Sequence, residues 1–125
     1  MFQGNEMTRL VTKVLTALAS RTASLTATGV LITDLEGVVQ FHLRHKDLSG
    51  TSPTWAWSVE DSDDDSSYAA VTGLSVAAAA NTDTKIAIDR AKLRKYVRVV
   101  GTIGGSATPT LATCADVRGF AKYAA

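Results

Sequence analysis

The sequence predicts an all-β domain, an antiparallel β-sandwich or jelly-roll-like barrel, preceded by an N-terminal arm or short helix. Three observations carry this expectation. First, Thr54 to Val71 reads as a hairpin: Trp55, Trp57 and Val59 sit two apart and project from one face of an extended chain, then an acidic, Ser-rich turn leads to a return strand at Tyr68 to Val71. Each tryptophan buries roughly 150 to 250 Å² when enclosed, so other strands should gather over that face. Second, period-two alternation recurs between turn signals, suggesting about seven to nine short strands. Third, two stretches echo one another: strand, Gly50-Thr51-Ser52-Pro53-Thr54, strand, and strand, Gly105-Ser106-Ala107-Thr108-Pro109-Thr110, strand. Each reads as a β-hairpin whose Pro opens the return strand.

At the N-terminus, Met7, Leu10, Val11, Val14, Leu15 and Leu18 follow the spacing of an amphipathic helix. Thr8, Thr12, Thr16 and Val14 are weak helix formers and argue for an extended arm instead. Residues 1–19 are therefore read as an arm or amphipathic helix, and residues 20–125 as one β-sandwich domain. Arg21 to Thr28 is consistent with a strand punctuated by Gly29, and Val30 to Leu35 is followed by a turn at Glu36-Gly37. In Val38 to Leu43, Val39, Phe41 and Leu43 share the inward face, with Val38, Gln40 and His42 opposite. Asp47 to Pro53 reads as a loop. After the Trp hairpin, Gly73 breaks the chain before a strand of small residues from Leu74 to Ala80. Thr84 to Ile88 points Ile86 and Ile88 inward, Asp89 caps a short helical turn through Lys95, and Tyr96 to Ile103 sets Val97 and Val99 opposite Tyr96, Arg98 and Val100. Pro109 to about Ala115 and Val117 to Tyr123 supply the last strands.

A chain of 125 residues is long enough to fold without disulfides or metals. Its single cysteine, Cys114, cannot bridge internally and reads as a small buried hydrophobe. The net charge of +1 gives no broad attraction to nucleic acid or an acidic membrane, and neither is expected as a partner. No apolar run approaches the roughly 20 residues that span a bilayer. Lys13 also leaves too short an apolar core for a signal peptide, so that segment reads as part of the mature protein. The charges are unevenly placed: Glu60, Asp61, Asp63, Asp64 and Asp65 make an acidic tip, and Arg90, Lys92, Arg94, Lys95 and Arg98 a basic segment. Such patches either dock copies in register or form two solvated loops.

No constellation of residues requires catalysis, and neither an enzymatic role nor a cofactor is expected. Asp61, Asp63 and Asp65 alternate like the first ligands of a calcium loop. Ser66 and Thr72, however, stand where Gly and a bidentate Glu would be needed, so a solvated turn is the favoured reading of this metal candidate. His42 and His45 have no third ligand nearby and read as surface imidazoles. Gly101 to Gly105 lacks the P-loop lysine, and no Ser, Thr or Cys lies in a nucleophile motif.

Three stretches carry a likeness. Leu31-Ile32-Thr33-Asp34-Leu35-Glu36-Gly37-Val38, then Val59-Glu60-Asp61-Ser62-Asp63-Asp64 leading to Tyr68-Ala69-Ala70-Val71, then Tyr96-Val97-Arg98-Val99-Val100-Gly101-Thr102-Ile103-Gly104-Gly105 resemble, in order and spacing, small structural proteins of tailed-bacteriophage virions. The likeness covers roughly Leu31 to Ala115 and is greatest to capsid decoration, or cement, proteins. It implies a β-rich, non-enzymatic protein that is made in the host cytoplasm and sits on the outside of the virion. It also implies a homo-oligomer, with a trimer favoured, that binds the major capsid protein at subunit junctions and steadies the shell. On that reading the candidates for partner contact are Thr8, Arg9, Leu10, Val11 and Val14 in the arm, the loop Asp47 to Pro53, and Arg90, Lys92, Arg94 and Lys95 in the basic segment. Two alternatives stand beside it: a lectin-like module that stacks sugar on exposed tryptophan, and a neck or tail component of the virion.

Overall fold

A computed structural model describes residues 9–122. Two strands of unusual length organise it: β4 (Leu35–Ser62, 28 residues) and β7 (Tyr96–Ala121, 26 residues). They pair antiparallel along their whole length, from Leu35 opposite Ala121 to Ser62 opposite Tyr96. Five shorter strands flank this ribbon: β1 (Leu10–Arg21), β2 (Leu25–Thr26), β3 (Val30–Leu31), β5 (Ala69–Ala79) and β6 (Thr82–Asp89). Every pairing is antiparallel, and hydrogen bonding joins all seven strands into one sheet that is not closed. The all-β expectation holds. No helix is long and apolar enough to cross a membrane among the described residues.

The ribbon doubles back where its register lapses, between Asp47 and Thr54 on β4 and between Leu111 and Gly104 on β7. One half then runs β1-β7-β4-β6, and the other runs β2 and β3, then β7-β4-β5. Both halves supply one core: Val39, Phe41, Leu43, Leu111 and Val117 come from the first, and Trp55, Trp57, Val59, Leu74, Val97 and Val99 from the second. The two halves are thus layers that face each other across this core. At the bend, Gly50 and Gly105 have φ of +106° and +109°. Each abuts the other segment's proline: a Cβ on Gly50 would lie 2.7 Å from Pro109 Cα, and one on Gly105 2.9 Å from Pro53 Cα. The sequence echo therefore marks two segments that fold against each other, and does not mark two separate hairpins. Its repeated Gly and Pro are partners across the bend.

The core follows the predicted alternation. Trp55 and Trp57 are 0% and 1% exposed, their rings 5.6 Å apart in an edge-on arrangement. Asp89 caps the 3-10 turn Arg90–Lys92 by accepting from the Ala91 backbone N–H at 3.0 Å, and that turn stops short of Lys95.

Several expectations are corrected. The stripe from Leu10 to Leu18 belongs to a strand paired with β7, so no helix forms there and this part of the segment is built into the domain. Its β-branched residues win over its spacing because a sheet edge is available to pair with. The remainder of that segment, and Tyr123, lie outside the described residues. Asp47 to Pro53 and Glu36-Gly37 are irregularities within β4 and not breaks in it. Gly73 likewise sits inside β5, at a bulge where the pairing moves from Ser58–Ser75 to Glu60–Ala70.

Candidate interaction surface

The outer face of the β1-β7-β4-β6 layer is the feature most open to a partner. On β1, Leu10, Val14 and Leu18 are 59%, 61% and 73% exposed, and Phe120 of β7, directly opposite Leu10, is 44% exposed. Isolated exposed hydrophobes need no explanation, but a row of them along one strand does. Beside this row a groove of about 640 Å³ crosses the layer, with the small side chains of Ala112 and Cys114, the aliphatic wall of Val14 and Leu18, and the cations Arg44 and Lys46 among its lining. Cys114 is accordingly half-buried beneath this groove, outside the core cluster.

The predicted partner residues divide by environment. Arg9, Leu10 and Val14 are exposed, whereas Val11 turns toward the core and is half-buried. Thr8 lies outside the described residues. In the basic segment, Lys92 and Lys95 are exposed. Arg90 is engaged inside the fold, its Nε donating to the Ile32 carbonyl at 2.9 Å and its guanidinium to the Leu93 carbonyl at 2.8 Å.

Arg94 and Arg98 meet the acidic tip within the same molecule, so that part of the charge asymmetry is spent internally and not on a neighbouring copy. Arg94 Nε and backbone N–H each donate to the buried Asp61 carboxylate at 3.0 Å. Arg98 bridges Glu60 at 2.7 Å and stacks 4.0 Å over the Tyr68 ring. Asp61, Asp63 and Asp65 do not converge: Asp61 is committed to Arg94, Asp63 is exposed, and Asp65 accepts from the Tyr68 hydroxyl. Burial and that hydrogen bond push the Tyr68 hydroxyl up to about 12. Asp64 instead organises the tip. It accepts from the Ser67 and Ser66 backbone N–H groups at 2.9 Å and from Ser62 Oγ at 2.8 Å, which lowers its carboxyl to about 2. No cluster of metal-ligating side chains occurs among the described residues.

The two histidines are buried, not surface imidazoles. His42 packs against Asp83 on the neighbouring strand, and that hydrogen bond holds the Asp83 carboxyl below its usual value. His45 continues the inward phase of Val39, Phe41 and Leu43; it accepts from Trp57 Nε1 at 3.0 Å and donates to the Ala79 carbonyl at 2.7 Å. An N–H of indole can only donate, so His45 Nδ1 is the acceptor and Nε2 carries the proton. Enclosure of both indoles removes the platform on which a lectin would stack sugar.

Comparison with solved structures adds fold relatives. The SPBc2 prophage-derived protein YomS superposes with a TM-score of 0.62 at 11% identity, over 91% of this chain and 95% of that one. VP2 of infectious bursal disease virus, in a subviral particle, gives 0.58 at 9% identity over 92% of this chain and 33% of VP2. The Gx strain of the same virus gives 0.54 at 11% identity over 91% and 32%. These chains share one fold. This chain matches YomS over nearly its full length and spans about a third of VP2. No family model and no curated protein matches the sequence.

Sequence reasoning put Leu18 in the apolar stripe with Leu10 and Val14 but not among the partner residues, and it missed Phe120 and the groove. A period-two reading of Leu10, Thr12 and Val14 would have placed Leu10 and Val14 on one face, and that was the available signal. The opposition of Leu10 and Phe120 arises from residues more than a hundred positions apart, and no local pattern encodes it.

Proposed function

We propose that this chain is a non-enzymatic structural protein of a phage virion, a decoration protein that binds the outside of the assembled capsid shell and stabilises it. The observation that carries the reading is the end-to-end likeness of fold to a prophage-derived protein, together with the use of the same fold by VP2 in a viral particle. The outer face supports it. A decoration protein needs a rigid body and a contact surface, and the row Leu10, Val14, Leu18 and Phe120 beside the groove offers apolar area on a frame held by the β4–β7 ribbon. Binding the assembled shell but not its dissociated parts shifts the equilibrium toward assembly by mass action.

The test is reconstitution. Shells of the phage that encodes this chain, purified without it, are mixed with the recombinant protein, heated in steps and imaged. The reading expects density repeated over the whole shell surface and a higher disruption temperature. Density confined to a single vertex would replace it with a neck or tail role, and absence from the particle would overturn both.

A further inference from the structure

We infer that copies of this chain join head to tail, with β1 of one copy adding antiparallel to β6 of the next, so that the β1-β7-β4-β6 layer continues from molecule to molecule. The inference names the partner for one edge of the domain. It rests on the decoration reading only for where the assembly sits; the contact itself follows from four features of the strands.

Both strands are free on one side among the described residues: β1 pairs only with β7, and β6 only with β4. Ala121 N–H donates to the Arg9 carbonyl at 2.7 Å, in register with the pair Leu10–Phe120. In an antiparallel ladder the backbone groups alternate, so Arg9, Val11 and Lys13 turn theirs toward β7, and Leu10, Thr12 and Val14 turn theirs outward to the open edge. An open edge of this kind is a template for another strand.

Direction fits. β1 is antiparallel to β7, β7 to β4 and β4 to β6, so the two edges of the layer run in opposite senses. A copy rotated about an axis along the strands keeps its sense, and its β1 then meets β6 antiparallel. Such a head-to-tail contact closes into a ring where the rotation divides a full turn, and the ring is the form proposed.

Level fits as well. Thr12 lies opposite Arg118, Arg118 opposite Gln40, and Gln40 opposite Ala87. With neighbouring layers kept level, Thr12 faces Ala87, Leu10 faces Asp89, Val14 faces Lys85 and Val11 faces Ile88. Val11 and Ile88 are both partly buried apolar residues at the rim of the core, and the joint would complete the cover of each.

Charge decides between partners. From Arg9 to Arg21 the chain carries Arg9, Lys13 and Arg21 and no acid, whereas β6 carries Asp83 and Asp89 with Lys85. Two β1 edges would bring like charges together, whereas β1 against β6 sets a net positive strand against a net negative one.

The experiment uses the full chain in a Cys114→Ala background, with Val11→Cys and Ile88→Cys introduced singly and together. Sedimentation of the unmodified protein should give a multiple of 13.2 kDa. Mild oxidation should cross-link the double variant between molecules into a ladder that ends at the ring size, while each single variant should not ladder. A monomer in solution overturns the contact. So does an oligomer that fails to cross-link, or one in which Val11→Cys alone forms dimers. Thr12→Pro removes an outward N–H without touching the β7 ladder and should return the protein to 13.2 kDa with an unchanged far-UV spectrum. An unmodified protein that is monomeric yet coats shells would overturn the edge contact and spare the decoration reading; rings of the unmodified protein that ignore shells would do the reverse.

Discussion

Trp57 hands its indole N–H to His45 Nδ1 at 3.0 Å, joining the second half of β4 to its first half across the core. His45 Nε2 passes the link on to the Ala79 carbonyl at the end of β5. One imidazole thus ties three segments that the ribbon's bend brings together, and it does so only while neutral.

A pH dependence follows. Burial lowers the His45 pKa from 6.5, so the unfolded chain binds this proton more readily than the folded one. The stabilisation is fully present above 6.5 and is lost as pH falls from there toward the folded value. Urea midpoints measured downward from neutral pH should decline over that interval in the wild type and stay flatter in His45→Gln. Trp57→Phe leaves the imidazole acceptor buried without a donor and should cost about 1–3 kcal/mol near neutral pH.

The reciprocal packing at the bend makes a second prediction. Gly105→Ala places a methyl against Pro53 on a backbone with positive φ, and Gly50→Ala does the same against Pro109. Each should destabilise by about 1–3 kcal/mol in chemical denaturation, because neither strain nor collision can be relieved without opening the ribbon.

Arg94→Ala should be the costly change in the basic segment. It strips the guanidinium from the buried Asp61 carboxylate, for a loss of about 3 kcal/mol. Lys92→Ala and Lys95→Ala remove exposed cations and should stay within about 0.5 kcal/mol of the parent. Parallel thermal melts of the three variants check this contrast.

On the outer face, Val14→Asp combined with Leu18→Asp should leave stability within about 1 kcal/mol, since both side chains already stand in water. The same variant should lose shell binding in a co-sedimentation assay. Retained binding would move the contact off this row.

Much of the fold was readable because the inner faces obey period two. Trp55, Trp57, Val59, Val97 and Val99 are buried as their spacing demands, and Asp89 caps the turn it precedes. The failures share a cause: local patterns do not name distant partners. Leu10, Val14 and Leu18, four apart, satisfy a helix and a strand equally, and the decision came from β7 at the far end of the chain. The two Gly and Pro segments looked like hairpin loops because each is a turn locally, yet each strand beside them pairs with the other segment's strand. His45 stands in phase with Leu43, which places it inward and not on the surface as the sequence reading has it; Trp57 and Ala79 satisfy it there.

The β4–β7 ribbon also governs the order of events at synthesis. Until Tyr96 is made, β4 has only β5 and β6, each along half of one edge, and its other edge waits for the long partner that begins there. The nascent chain must therefore hold two tryptophans and one unpaired edge of a 28-residue strand in reserve until β7 is made. Such dependence on contacts far apart in sequence slows folding and leaves the waiting chain prone to clump. A chain cut short before Tyr96 would have no route to this fold, however complete its other strands.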